Sequence, residues 1–210
     1  FQNTRGVLFK GSITDRFSFS SSFYENQTRF ASYEQAYMSE HGEIYPTANN
    51  NYTIQNAVVP GAARTKPFKN TAYDYAYAVG SLVYRVNKKL DLTAGNNQQF
   101  IGAGHRSLLL SDNSVGSPYF KINYQITPKW SFQYMRSRLL NLVRKNVYST
   151  VEGYYQPKGL AINYITYAPN KTFSISFFEG SIWAKGDSLT TTRINPLYFC
   201  PVPLINKLIK

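Results

Sequence analysis

YFKINYQITPKWSFQY, Tyr119 to Tyr134, carries the pattern on which the fold of the whole chain turns. Phe120, Ile122, Tyr124 and Ile126 alternate with Tyr119, Lys121, Asn123 and Gln125, the two-residue period of a strand with one apolar and one polar face. Thr127-Pro128-Lys129 ends the run with a proline, which cannot donate to a sheet ladder and suits a tight turn. Trp130, Phe132 and Tyr134 then alternate with Ser131 and Gln133. The segment predicts two antiparallel strands joined by a short turn.

The same alternation recurs outward in both directions. Residues 5–13 set Val7, Phe9, Gly11 and Ile13 against Gly6, Leu8, Lys10 and Ser12. Residues 17–26 set Phe17, Phe19 and Phe23 against Ser18, Ser20, Ser22 and Tyr24. Residues 72–86 put Tyr73, Tyr75, Tyr77, Val79 and Val83 on one face and Ala76, Ala78 and Gly80 on the other. Residues 90–96 alternate on Leu90, Leu92 and Ala94, and residues 158–167 on Leu160, Ile162 and Tyr164 against Ala161 and Asn163. Residues 171–183 oppose Phe173, Ile175 and Phe177 to Thr172, Ser174 and Ser176. Phe30, Tyr33 and Tyr37 recur at helical spacing and predict a short helix before Gly42. The tail from Ala184 loses the alternation and is punctuated by Pro196, Pro201 and Pro203.

These strands are joined alternately by tight turns and by long polar connections, the pattern of an up-and-down outer-membrane barrel. Each run is of the order of the 9–11 residues that a tilted membrane strand needs. Phe17, Trp130 and Phe173 just after tight turns, and Tyr124 and Tyr164 just before them, suit an aromatic girdle at headgroup level. Composition agrees: 18 tyrosines, 14 phenylalanines and only 16% charged residues, with Ser, Thr, Asn and Gln on the wet positions. A soluble sandwich would normally charge its wet face. The expected fold class is therefore all-β, an antiparallel up-and-down transmembrane β-barrel with about eight strands in this chain. With the turns on the periplasmic side, the first strand descends from outside and the last ends outside, whereas barrels of this class keep both termini on the turn side. Residues 1–210 are thus expected to form one barrel domain that is incomplete at both ends, an internal portion of something larger.

Other classes recede. No apolar run reaches the length of a transmembrane helix, and Phe1 opens no signal peptide. Cys200 is the only cysteine, so neither a disulfide framework nor a thiolate metal site is available. A net charge of +12 suggests an anionic partner, but the cations are scattered, and nucleic acid is not expected.

Between the strands ending at Asn96 and beginning at Tyr119 lies GNNQQFIGAGHRSLLLSDNSVGSP, Gly95 to Pro118. His105, Ser107 and Asp112 are the ingredients of a hydrolytic triad, but no nucleophile-elbow spacing surrounds Ser107, and no catalytic residue is assigned. His105 has no second ligand at metal spacing, so no metal or cofactor is expected. The structural reading packs Leu108, Leu109 and Leu110 inward and ties Arg106 to Asp112 or to loop carbonyls, with His105 and Asp112 as loop residues. The binding reading uses the planar fork of Arg106 for a uronate or phosphate, and the amides of Asn96, Asn97, Gln98 and Gln99 for hydroxyls. Arg64, Lys66, Lys69, Arg144 and Lys145 fall on the same outer side and would complete a basic, aromatic mouth for an anionic glycan.

VVPG (Val58 to Gly61), FIGAGHRSLLLSD (Phe100 to Asp112), the strand opening at Tyr119 and Phe120, and INPLYF (Ile194 to Phe199) together resemble the outer-membrane barrels of Bacteroidetes in the capsule-assembly (Wzi-like), gliding-motility-associated family. The resemblance implies a monomeric barrel wider than eight strands, its lumen closed by helices or loops, with chain continuing beyond both Phe1 and Lys210. It implies a non-enzymatic, lectin-like role in holding or organising surface polysaccharide. The expected partners are cell-surface polysaccharide or lipopolysaccharide, outer-membrane lipid and other envelope proteins. A porin-like diffusion channel is the alternative, and a barrel lipase a third.

Overall fold

In a computed structural model of the chain, the described residues are 1–46, 52–56, 58–59, 62, 64–69, 71–102, 105, 107, 109–112, 116–144 and 153–184. They form β1 (Gln2–Thr14), β2 (Phe17–Thr28), α1 (Ser32–His41), β3 (Glu43–Pro46), β4 (Tyr52–Asn56), β5 (Arg64–Phe68), β6 (Ala72–Asn87), β7 (Leu90–Asn97), β8 (Ser117–Thr127), β9 (Trp130–Leu140), β10 (Pro157–Tyr167) and β11 (Ile175–Ala184). Nine of these strands make one antiparallel sheet in the order β1-β2-β6-β7-β8-β9-β10-β11, with β5 also paired to β6. The expected meander is present, with β5 and the separate β3–β4 hairpin added inside the first long connection. The sheet is open, with β1 and β11 at its edges. Among the described residues, no helix is long and apolar enough to cross a membrane.

Each tight turn is closed by one short polar side chain at a strand end, which satisfies amides that the ladder has just released. Thr14 Oγ1 accepts the N–H groups of Arg16 and Phe17 at 3.3 and 3.1 Å, and Asn87 Oδ1 accepts that of Lys89 at 2.8 Å. Thr127 Oγ1 serves Lys129 and Trp130 at 3.3 and 3.2 Å. Asn170 Oδ1 accepts from the N–H groups of Thr172 and Phe173 at 3.1 and 2.9 Å. That last turn corrects an expected boundary: the strand begins at Ile175, and residues 171–174 belong to the turn, Phe173 included.

Cross-strand register sorts every side chain to one of two faces. One row runs Gly11, Phe19, Leu82, Ala94, Phe120, Arg136, Ala161, Ser181, and the adjacent row on the other face runs Lys10, Ser20, Ser81, Gly95, Tyr119, Ser137, Leu160, Ile182. The first face carries Val7, Phe9, Phe19, Phe23, Leu82, Tyr84, Phe120, Tyr124, Trp130 and Phe177, all exposed. The second pairs hydroxyls across strands: Ser20 with Ser81 at 2.9 Å, Ser117 with Ser137 at 2.7 Å, Thr166 with Ser176 at 2.9 Å.

Two strands turn their bulkiest residues away from the bare apolar face, contrary to expectation. On β6 the small residues Ala76, Ala78 and Gly80 share that face with Phe23 and Ser21, while Tyr73, Tyr75 and Tyr77 point to the hydroxyl side. On β10, Leu160, Ile162 and Tyr164 also lie on the hydroxyl side, opposite Ser137, Met135 and Gln133. The reason is cover. Met38, Val59 and Ala62 pack on Tyr73, with Phe30 and Tyr75 around them. Ile101 packs on Met135, Leu160 and Ile162, with Leu110, Leu139 and Tyr164 around them. The hydrophobic core therefore sits in two clusters on the hydroxyl face, under the connections. Tyr167, not Tyr164, shares the turn-side aromatic level, its ring 4.6 Å from that of Trp130.

The helix expected before Gly42 is α1, but its buried residue is Met38, while Tyr33 and Tyr37 are exposed. Glu34 closes its first turn by accepting the Ala31 N–H at 3.0 Å.

Candidate functional site

The long connections gather at one end of the sheet and fold over its hydroxyl face. In the stretch after β7, the Ile101 N–H donates to the Leu110 carbonyl at 2.9 Å, pinching the loop into an isolated antiparallel bridge. Ser107 organises the span between them. Its hydroxyl donates to the Ile101 carbonyl and accepts the N–H groups of Leu109 and Leu110 at 3.0 and 3.1 Å. Gly102, at φ +143°, holds a backbone conformation that L side chains rarely adopt, and a Cβ there would press on Ser107 Oγ at 2.7 Å. Ile101 and Leu110 anchor the loop on Met135, Leu160 and Ile162. Of the three leucines, Leu110 is the one in that cluster; Leu109 is exposed and Leu108 lies outside the described residues.

This geometry bears on catalysis. Ser107 Oγ makes three hydrogen bonds within its own loop and is spent on shape. His105 and Asp112 are exposed. Among the described residues, no group of three or more His, Cys, Asp or Glu could hold a metal ion.

The expected basic mouth comes together only in part. Arg106 and Lys145 lie outside the described residues. Arg64 stands in β5 opposite Ala76. Lys66 is exposed, with Nζ 3.6 Å from Asp74 Oδ2, a surface pair of small energetic weight. Lys69 takes a left-handed turn conformation at φ +52°, its ammonium 5.4 Å above the Phe68 ring. Asn96 is exposed on the bare apolar face, paired with Gly80 and Pro118, and Gln98 is half-buried beside Asn97, whose Oδ1 accepts its N–H at 2.8 Å.

Arg144 is the clear departure. It is expected on an exposed rim and is instead largely covered, its side chain 12% exposed. Its Nη1 donates to the Gly153 carbonyl at 3.1 Å, its guanidinium stands 4.2 Å from the Tyr155 ring centre, and its Nε lies 4.0 Å from Glu43 Oε2. Glu43 Oε1 accepts the Gly153 N–H at 2.7 Å, and Tyr155 Oη donates to the Ala62 carbonyl at 3.5 Å. A carboxylate from the β2–β6 connection thus locks onto the β9–β10 connection. Sequence spacing could not find this clamp, because its partners are over a hundred residues apart. The one visible sign was Glu43 itself, an acid in a chain that carries few.

Comparison of the chain with protein-family models, curated proteins and solved structures returns no match. The described parts of the connections lie over the hydroxyl-bearing wall, with Lys69 exposed beside β6 and Lys66 exposed on the bare-face side. Such a wall presents hydroxyl donors and acceptors of the kind that pair with polar groups.

Proposed function

We propose that the chain is part of an outer-membrane β-barrel that holds or organises anionic cell-surface polysaccharide without catalysing a reaction. One observation carries this reading: the sheet is two-sided in the inverse of a soluble sandwich. Its bare face carries Phe9, Phe23 and Phe177 more than half exposed, while the other face carries the cross-strand hydroxyl pairs. The apolar residues of that other face gather under the connections, except for Leu8, Phe178 and Ile182 on the edge strands. A bilayer gives such a bare face a solvent, and a lumen gives the hydroxyl face its water. A bilayer tolerates no open sheet edge, so the reading requires further strands to pair β1 and β11. The connections lying over the hydroxyl face supply the lumen closure that the resemblance implies. Lys69 and Arg106 are the cations assigned to the glycan, since register turns Lys66, opposite Asp74, to the bare face.

The alternative, a diffusion channel, draws on a different feature. Toward the turns the hydroxyl wall stays uncovered, leaving a groove of about 420 Å³ against Lys10, Ser12, Ser18, Ser20 and Ser81. Reconstitution of the protein in planar bilayers, with parallel glycan-binding measurements, separates the two. Glycan binding that weakens about tenfold in Arg106→Ala, with folding retained and no steady conductance, is the expected result, in keeping with loss of a charge-assisted contact. Steady conductance without glycan binding would favour the channel, and ester hydrolysis without either would overturn both.

A further inference from the structure

The bare face of β8–β11 changes character toward its loop end. There a groove of about 330 Å³ is lined by Phe120, Arg136, Arg138, Lys158, Gly159 and Trp183. Register sets Arg136 beside Phe120 and Ala161, and Gly159 between Arg138 and Trp183. The glycine is required: a Cβ on Gly159 would collide with the indole of Trp183, which lies across β10 at that point. The guanidinium carbon of Arg136 stands 5.7 Å from the centre of the same indole, and Arg138 and Lys158 are exposed. Among the described residues, the side chains lining the groove include no carboxylate; Glu179, on the same face, stands one row nearer the turns than Ser181. Below the groove that face crosses one mixed row, Tyr134, Asn163 and Glu179, and then continues through Phe132, Ile165 and Phe177 to the Trp130–Tyr167 ring pair.

The level of these cations follows from strand geometry. Arg138 stands eight positions along β9 from Trp130. At about 3.4 Å per residue and a tilt of about 40°, that is about 20 Å above the turn-side aromatic level, near the upper edge of an apolar band roughly 25 Å tall. Arg136, two positions lower at about 16 Å, reaches that edge by extending its long side chain upward toward Trp183. Cations are cheap at that depth and costly at the midplane. Tryptophan is enriched there, with its ring at headgroup level.

We propose that this groove binds the phosphorylated headgroup of an outer-leaflet glycolipid, whose acyl chains lie down the apolar rows beneath. The inference rests on the barrel reading and adds a lipid site on the outer wall, apart from the glycan mouth. The forks of Arg136 and Arg138 take phosphate oxygens in paired hydrogen bonds. Trp183 and Phe120 flank the sugar, while Lys158, turned by register to the hydroxyl face, borders the groove only at its rim.

The test uses the full protein in phosphatidylcholine vesicles containing either bisphosphorylated lipid A or its dephosphorylated form. Vesicle flotation reports membrane insertion, and native mass spectrometry after gentle extraction counts retained lipid. Lipid A is expected to be retained roughly tenfold better than the dephosphorylated form, and R136Q/R138Q to lose that preference. R138Q, which alters only an exposed side chain, should lose a smaller part of it with an unchanged amide infrared spectrum. Equal retention of both lipids, an unchanged preference in both variants, or displacement by millimolar inorganic phosphate would overturn the lipid site. If the wild-type protein fails to float with vesicles, the barrel reading falls and the groove proposal with it. If it floats without discriminating, only the groove proposal falls.

Discussion

Glu43 Oε1 accepts the backbone N–H of Gly153 at 2.7 Å, a buried hydrogen bond between residues 110 positions apart. In the sheet, β7 and β8 stand between the strands that carry these two connections. The bond is therefore a chord across the hydroxyl face, made by two connections that fold over the strands between them.

Cutting the chord should be expensive. Glu43→Ala leaves Arg144 largely covered without its carboxylate and the Gly153 N–H without an acceptor. A loss of about 3 kcal/mol is expected. Denaturant unfolding of Glu43→Ala, Arg144→Met and the double variant checks it. The double variant should cost clearly less than the sum, and strict additivity would show that the two side chains do not act together.

Sidedness of the sheet is tested by neighbours in sequence. Ile122 lies on the bare face and Asn123 on the hydroxyl face. In vesicles, Ile122→Lys is expected to destabilise by about 2 kcal/mol or more, since a cation would enter the apolar band. Asn123→Lys should stay within about 0.5 kcal/mol. Equal costs would undo the assignment of the bare face to lipid.

Ser107→Ala removes the hydroxyl that serves Ile101, Leu109 and Leu110. Hydrogen exchange should show the amides of Leu109 and Leu110 opening more readily by about 2 kcal/mol, with the β8–β9 amides unaffected. An unchanged exchange rate at those two amides would remove Ser107 from its shaping role.

Gly95 and Gly180 make a paired prediction about packing. A Cβ on Gly95 would strike the Gly80 carbonyl oxygen, which is backbone and cannot give way, whereas one on Gly180 meets only Ile162 Cγ1 at 3.9 Å. Gly95→Ala should cost about 1–3 kcal/mol. Gly180→Ala should be neutral or slightly stabilising, since alanine narrows the unfolded ensemble. Thermal melts of both variants decide the matter.

The meander was legible because alternation and turn chemistry are local. Thr127-Pro128-Lys129 announces its own turn, and Phe120 to Ile126 their own faces. Which face each strand shows to its neighbours is not local. Leu160 and Ile162 look like a bare apolar stripe until Ile101 is brought over them, and Tyr73 until Met38 is. Arg144 reads as a solvated loop charge for the same reason: its partner Glu43 belongs to a connection on the far side of two intervening strands. Sequence periodicity reports amphipathicity but not which solvent, or which loop, each side meets.

The hydroxyl pairs have one more consequence. Ser20 with Ser81, Ser117 with Ser137 and Thr166 with Ser176 bond to each other without any ionisable group. These pairs carry no titrating contact, and ions in the medium have nothing to screen in them; the Arg85–Asp91 pair at the turn end of the same face is a charged exception. The hydroxyl pairs should therefore hold alike in fresh water, brine and mild acid, leaving environmental sensitivity to the ion pairs and clamps.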